Sequence, residues 1–151
     1  MGGGPPTAKA NPSYEDVCSG VTGHVEVFHM FFDGSMDTYE LMCRFFFQFH
    51  DPTTPNQQGN DKGTQYASVI FAYTQAQFDM ATAVKAELNG FLKNGTLTSY
   101  KGIVVMTDIR LSTSSSDFFE AKAEHQEFLA NNPKGYCNHR LRFQHWPSPK
   151  S

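Results

Sequence analysis

The chain alternates between short segments rich in aromatic and β-branched residues and longer segments whose apolar residues recur every three or four positions. The short segments have strand-like composition and cover residues 24–33, 68–73 and 103–109. The longer ones have helical spacing and cover residues 37–50, 74–93 and 117–130. Such an alternation predicts one α/β layered domain over residues 1–151, with an irregular tail at residues 131–151.

The helical segments carry signals for their starts and for their buried faces. Acidic or hydroxyl residues stand three positions before Glu or Gln and predict capping boxes at Asp37–Glu40, Thr74–Gln77 and Asp117–Glu120. The apolar stripe of the first helix contains Tyr39, Met42, Cys43, Phe46, Phe49 and His50; that of the second contains Ala81, Val84, Leu88, Phe91 and Leu92. Because Cys43 lies on such a stripe, we expect a small core residue there and not a nucleophile.

A polar loop, HDPTTPNQQGNDKGTQY at residues 50–66, separates the two most apolar parts of the chain. Long polar loops held between rigid elements often carry binding and catalytic groups. The alternative is a solvated turn, since almost nothing in this loop can pack as core. Composition alone leaves both open.

Glu26 is a carboxylate on an otherwise apolar face of the first predicted strand. Burial there would disfavour the charged form and raise its pKa, which suits a proton donor near neutral pH. The alternative is a residue at a frayed strand end that faces water.

Charge and cysteine content exclude several classes of function. Twelve basic against fifteen acidic residues, a net charge of −3, provide no basic surface for nucleic acid. No apolar run is long enough to span a membrane. Three cysteines, Cys18, Cys43 and Cys137, are too few for a disulfide scaffold and favour a reducing compartment, with the cytoplasm expected. No His and Cys spacing fits a zinc motif, so no metal is expected.

Four stretches together resemble, in order and spacing, the A-type peptide methionine sulfoxide reductases. They are NPSYEDVCSGVTGHVEV (11–27), FHDPTTPNQQGNDKGTQYASVIF (49–71), FFEAKAEHQEFL (118–129) and NPKGYC (132–137). The resemblance implies a two-layer, ferredoxin-like fold with helices packed on a mixed sheet. It also implies thiol-dependent reduction of the S-epimer of free or peptidyl methionine sulfoxide, which repairs oxidative damage. The expected partners are oxidised proteins and thioredoxin, with no prosthetic cofactor and a monomeric state.

The resemblance also implies residue roles. Glu26 in GHVE would be the catalytic acid, and Tyr14 in NPSY and Tyr66 in GTQY would bind the sulfoxide oxygen. Asp61 in GND would orient the substrate, and Cys137 in GYC would be the resolving cysteine. The alternatives are buried tyrosines bonded to backbone groups, a turn-forming aspartate and a free surface thiol.

The sequence departs from the family pattern in one major respect. The Gly-Cys-Phe-Trp-Gly segment that carries the family's nucleophile is not present, and we expect the chain to begin inside the domain, without an N-terminal strand and helix. There are also smaller departures. Gln57 and Ala67 stand where the family usually has arginines, and Lys122 and Glu124 stand where it usually has an acidic residue and a tyrosine. A catalytically inactive homologue or fragment that binds methionine sulfoxide is therefore the alternative. If Cys18 served as a relocated nucleophile, its sulfur would have to be positioned accurately toward the substrate. A cysteine hydrolase that uses Cys18 and His24 is a further alternative, but no motif supports it.

Overall fold

The computed structural model describes residues 12–112, 118–137 and 139–148, and only the backbone of Tyr14. The helices are α1 (Tyr14–Cys18), α2 (Met36–Phe49), α3 (Gln75–Lys93) and α4 (Phe128–Asn131). The strands are β1 (Gln57–Gln58), β2 (Asp61–Lys62), β3 (Val69–Ala72) and β4 (Asp108–Leu111). Single 3-10 turns cover Thr64–Tyr66 and Ala123–His125.

The core lies where α2 packs against α3, with β3 and β4 beside α3. All five predicted apolar positions of α3 are buried, and so is Cys43, which confirms these predictions. Phe47 and Leu88 have no exposed surface. Burial of such side chains contributes about 1.5–3 kcal/mol each, so the two helices hold each other in place.

Helix α2 begins one residue earlier than predicted and uses a different cap. The Ser35 hydroxyl accepts from the Thr38 amide at 3.3 Å, so the predicted Asp37–Glu40 box is wrong. Glu40 instead pairs with Arg44 at 2.6 Å. The buried face follows Tyr39, Cys43 and Phe47, each four residues apart. Phe49 was expected in the stripe but is 38% exposed, because it lies on the far side of this row.

Helix α3 begins as predicted, with a variation in its cap. The Thr74 hydroxyl accepts from the Gln77 amide at 3.2 Å. The Gln77 side chain, however, accepts from the Tyr73 amide at 2.8 Å, one residue before the amide that a capping box uses. The helix ends at Lys93 with Asn94 as its C-cap, and Gly95 follows with φ +72°, a conformation that favours glycine.

The main sheet is the parallel pair of β3 and β4, in which Val69 lies opposite Asp108 and Ala72 opposite Leu111. The strand predicted at residues 68–73 is confirmed, whereas the one predicted at 103–109 is displaced toward the C-terminus. Residues before Asp108 use their amides elsewhere: Val105 donates to the Asn89 side chain and Met106 to the Pro52 carbonyl, both at 2.8 Å. These amides are therefore not free to extend the ladder.

The strand predicted at residues 24–33 is wrong, since only Val25 of these ten residues forms a β-bridge. Phe28 and Phe31 are 84% and 92% exposed. A strand needs a partner along its length, and the described residues supply one at a single position. The His29 ring instead packs on the rings of Phe118 and Tyr73, with centroids 4.6 and 6.2 Å away.

The helix predicted at residues 117–130 is also wrong. Only the 3-10 turn Ala123–His125 and the short helix α4 form, and Glu127 between them has φ +49°. This left-handed backbone interrupts a continuous helix. Asp117, the predicted cap, lies outside the described residues.

Residues 139–146 pack along the C-terminal turn of α2. The amides of Arg140 and Arg142 donate to the carbonyls of Phe49 and Gln48 at 3.1 and 2.8 Å. Further on, Arg44 lies 4.7 Å over the Trp146 ring. The tail thus completes the end of the helix. Within the described residues, no helix is long and apolar enough to cross a membrane.

Candidate active site

The polar loop that follows α2 is partly buried, contrary to the expectation that almost nothing in it can pack. Asp51, Gln58 and Gln65 are only 3%, 8% and 6% exposed. The Asp51 carboxylate accepts from the Thr53 hydroxyl at 2.6 Å and from the Lys101 amide at 3.1 Å. Because buried polar groups are tolerated when they are hydrogen-bonded, this network takes the place of apolar packing.

A hydrogen-bonded chain fixes the start of the loop to the sheet. The Nδ1 atom of His50 lies 2.6 Å from the Phe46 carbonyl, and its Nε2 lies 2.8 Å from the Ser68 hydroxyl. The Ser68 hydroxyl is in turn 2.7 Å from that of Thr107. Burial lowers the pKa of His50 to about 4, so the ring is neutral at pH 7. A neutral ring donates from Nδ1 and accepts at Nε2.

The second half of the loop positions Asp61 and Tyr66. Strands β1 and β2 pair as a hairpin in which Gln58 lies opposite Asp61. The 3-10 turn then places Tyr66 after Gln65, and the Gln65 carbonyl accepts from the Glu26 amide at 2.9 Å. This backbone bond brings Glu26 beside the loop.

Glu26, Asp61 and Tyr66 influence one another electrostatically. Burial raises the pKa of Tyr66, and the carboxylates of Glu26 and Asp61 and the Cys18 thiol add to the effect. Partial burial also raises the pKa of Glu26, opposed by His125 and reinforced by Asp61. The structure therefore brings together three of the five predicted site residues, with Cys18 nearby.

Glu26 differs from the expected proton donor in its surroundings. It lies outside any strand, and its side chain retains solvent-exposed surface. Of the two alternatives, the exposure matches a residue that faces water. The pKa of Glu26 is nevertheless raised, first by its partial burial and then by Asp61, while His125 opposes the change. The side chain of Tyr14 lies outside the described part of the chain.

Cys137, the fifth predicted residue, is exposed and lies beside a histidine. Its Sγ atom is 3.7 Å from Nδ1 of His139. The His139 ring stacks on Phe49 with centroids 4.9 Å apart. Burial and Arg142 lower the pKa of His139, and Asp61 opposes the change. Asp61 thus acts electrostatically on Glu26, on Tyr66 and on the histidine beside Cys137.

His125 and His139 lie near the site, although the sequence predicted no role for either residue there. His139 belongs to an irregular segment and His125 ends a single 3-10 turn, so helical periodicity could not place them. The resembling stretch FFEAKAEHQEFL contains His125 and was the available signal. In the described ranges, no group of three or more His, Cys, Asp or Glu residues could hold a metal ion.

Comparison with solved structures supports the fold class. The structure superposes on Mxr1 of Saccharomyces cerevisiae in its reduced form with a TM-score of 0.76 and 34% identity, covering 94% of this chain and 75% of that one. It superposes on methionine sulfoxide reductase A of Corynebacterium diphtheriae with a TM-score of 0.68 and 29% identity, covering 91% and 63%. The predicted α+β class is confirmed, with small sheets, one parallel and one antiparallel, in the described residues.

Sequence comparison identifies the family. The profile described as "Peptide methionine sulfoxide reductase" matches residues 3–148. A protein named peptide methionine sulfoxide reductase MsrA from Maricaulis maris is 41% identical over 131 residues, covering 84% of this chain and 55% of that protein. One of the same name from Vibrio vulnificus is 39% identical over 127 residues, covering 84% and 57%. The chain belongs to the peptide methionine sulfoxide reductase family, and it spans about half the length of these curated relatives.

Proposed function

We propose that this protein reduces the S-epimer of methionine sulfoxide, free or in oxidised proteins, to methionine by thiol chemistry. The single observation that carries the proposal is the electrostatic group of Glu26, Asp61 and Tyr66, at positions that match the family's motifs. The raised pKa of Glu26 favours the protonated carboxyl group, which is the form needed to donate a proton.

The reaction assigns a separate task to each group. A thiolate attacks the sulfoxide sulfur while Glu26 protonates the oxygen, and Tyr66 and Tyr14 hydrogen-bond to that oxygen. The bond between the oxygen and the substrate sulfur breaks as the oxygen is transferred to the attacking sulfur, so methionine leaves and the attacking thiol becomes a sulfenic acid. Cys137 then displaces water from the sulfenic sulfur to form a disulfide, which a dithiol such as thioredoxin reduces.

We further propose that the protein acts as a monomer in the cytoplasm and uses no prosthetic group. Sparse cysteines suit a reducing compartment, where dithiol reductants are present. The chemistry needs only thiols and a proton donor, so no redox cofactor is required.

A second function, binding of methionine sulfoxide without turnover, is favoured by one observation. None of the three cysteines in residues 1–151 stands in a Gly-Cys-Phe-Trp-Gly segment. Binding requires Asp61 and the tyrosines but no attacking thiolate, so the two functions make different predictions.

The test uses a methionine sulfoxide peptide as pure S- or R-epimer, with dithiothreitol as reductant and methionine measured by chromatography. We expect turnover of the S-epimer alone, and at least about a hundredfold lower kcat in Glu26→Gln, because a positioned acid contributes on that order. Glu124→Gln is the matched control and should retain the rate. The rate should also fall as Glu26 loses its proton with rising pH.

Two results would contradict catalysis. Equal rates for the two epimers would show that no chiral site is used. Absence of turnover, with S-epimer binding still detected by calorimetry, would establish the binding function in its place.

A further inference from the structure

Cys137 and His139 form a thiol–imidazole pair. The Sγ to Nδ1 distance of 3.7 Å is within hydrogen-bonding range for sulfur, and both side chains have solvent-exposed surface. The pair is therefore arranged for proton transfer and remains accessible to an incoming reactant. Cys43, in contrast, is buried in the core and its thiol has a pKa raised to about 11 by burial.

The surroundings of His139 suit a proton acceptor. Burial against its neighbours and the Arg142 guanidinium both favour the neutral ring, whose Nδ1 can accept from the thiol. The Asp61 carboxylate favours the protonated ring and so stabilises the imidazolium once it forms. The Phe49 ring stacks on the His139 ring, with their centroids 4.9 Å apart. His50 is a further titratable group nearby, and His139 contributes to the lowering of its pKa. Stacking on Phe49 thus orients the His139 ring, and Nδ1 on the edge of the ring contacts the Cys137 thiol.

We propose that His139 is the general base that activates Cys137 for attack on an electrophilic sulfur. The Cys137 thiol gives its proton to Nδ1 of His139, and the thiolate attacks a sulfenic or disulfide sulfur. With a sulfenic acid, the new S–S bond forms as the S–O bond breaks, and the imidazolium protonates the departing hydroxide to water. With a disulfide, the displaced thiolate leaves and the proton stays on His139.

The proposal rests on the proposed function, in which Cys137 is the resolving thiol. It also assigns a role to a residue outside the quoted motifs. Asp61 would serve both halves of the reaction, since it acts on Glu26 in the first and on His139 in the second.

The test measures Cys137 with 5,5′-dithiobis(2-nitrobenzoic acid), whose coloured thiolate product reports each attack. This reagent needs no sulfoxide reduction, so the result is independent of whether the reductase proposal holds. All variants carry Cys18→Ser, which removes the other exposed thiol. His139→Gln is compared with His145→Gln, an exposed histidine of the same tail. Circular dichroism and a final yield of one thiolate per chain confirm that each variant is folded.

At pH 6.5 we expect His139→Gln to react about tenfold more slowly, because the thiol then has no neighbouring base to accept its proton. Added imidazole should restore part of the lost rate, which a purely structural role would not allow. His145→Gln should match the parent. An unchanged rate in His139→Gln, or a loss of rate that added imidazole does not restore, would overturn the proposal.

Discussion

The buried His50 makes the stability of this protein depend on pH. The ring is 4% exposed, and its folded-state pKa is about 4 against an ordinary 6.5. Because the folded value is depressed, the unfolded chain binds the proton first as pH falls. Stability is therefore fully present above pH 6.5 and is lost progressively until pH reaches about 4.

The size of the loss follows from these two values. Between pH 7 and pH 5, protonation stabilises the unfolded chain by about 2 kcal/mol and leaves the stability of the folded protein almost unchanged. The free energy of unfolding should thus fall by about 2 kcal/mol from this one residue. That is a sizeable part of the roughly 5–15 kcal/mol of a typical domain.

Urea unfolding at pH 7 and pH 5 measures the effect. His50→Gln should be less stable at pH 7, because it disrupts the bonds to Phe46 and Ser68. Its further loss on going to pH 5 should be about 2 kcal/mol smaller than that of the parent. His145→Gln, with an exposed side chain, should keep the parental dependence.

A second measurement covers the case in which His50→Gln does not fold. The ring protons of His50 in the parent protein should show no titration by NMR above about pH 5. A midpoint near 6.5 in the folded protein would refute the reasoning, as would an equal loss of stability in His50→Gln.

Two further predictions concern the helices. Phe47→Ala should lower the free energy of unfolding by about 3–5 kcal/mol, because the ring is fully buried between α2 and α3. Phe45→Ala, at a 53% exposed position on the same helix, should lower it far less in the same urea titration. Thr74→Ala should lower the free energy of unfolding by about 1 kcal/mol, because it removes the acceptor for the Gln77 amide. Thr74→Ser should retain most of the stability, and equal losses in the two variants would argue against a capping role.

Helices α2 and α3 could be predicted because their signals are local. The stripe from Ala81 to Leu92 is encoded within α3 itself, and Thr74 marks its start. Strands depend on partners distant in sequence, so residues 24–33 had strand composition without forming a ladder. The buried loop was missed for a related reason, since Asp51 is stabilised by the Lys101 amide fifty residues later.

The residues of the candidate site also divide into those that local motifs indicated and those that are placed by contacts distant in sequence. Family motifs indicated Glu26, Asp61 and Tyr66, and the bond between the Glu26 amide and the Gln65 carbonyl places Glu26 beside the turn that carries Tyr66. No motif indicated His139, because its contact with Cys137 depends on how the tail packs against α2. Irregular segments are positioned by tertiary contacts that local sequence does not encode.

The contact between the tail and α2 couples two parts of the molecule energetically. The last carbonyls of α2 have no partners within the helix, and the amides of Arg140 and Arg142 occupy two of them. Detaching the tail would leave these carbonyls to water and fray the final turn. Cys137 is therefore anchored on its C-terminal side, and any large displacement of this residue together with the tail would carry the cost of melting the end of a core helix.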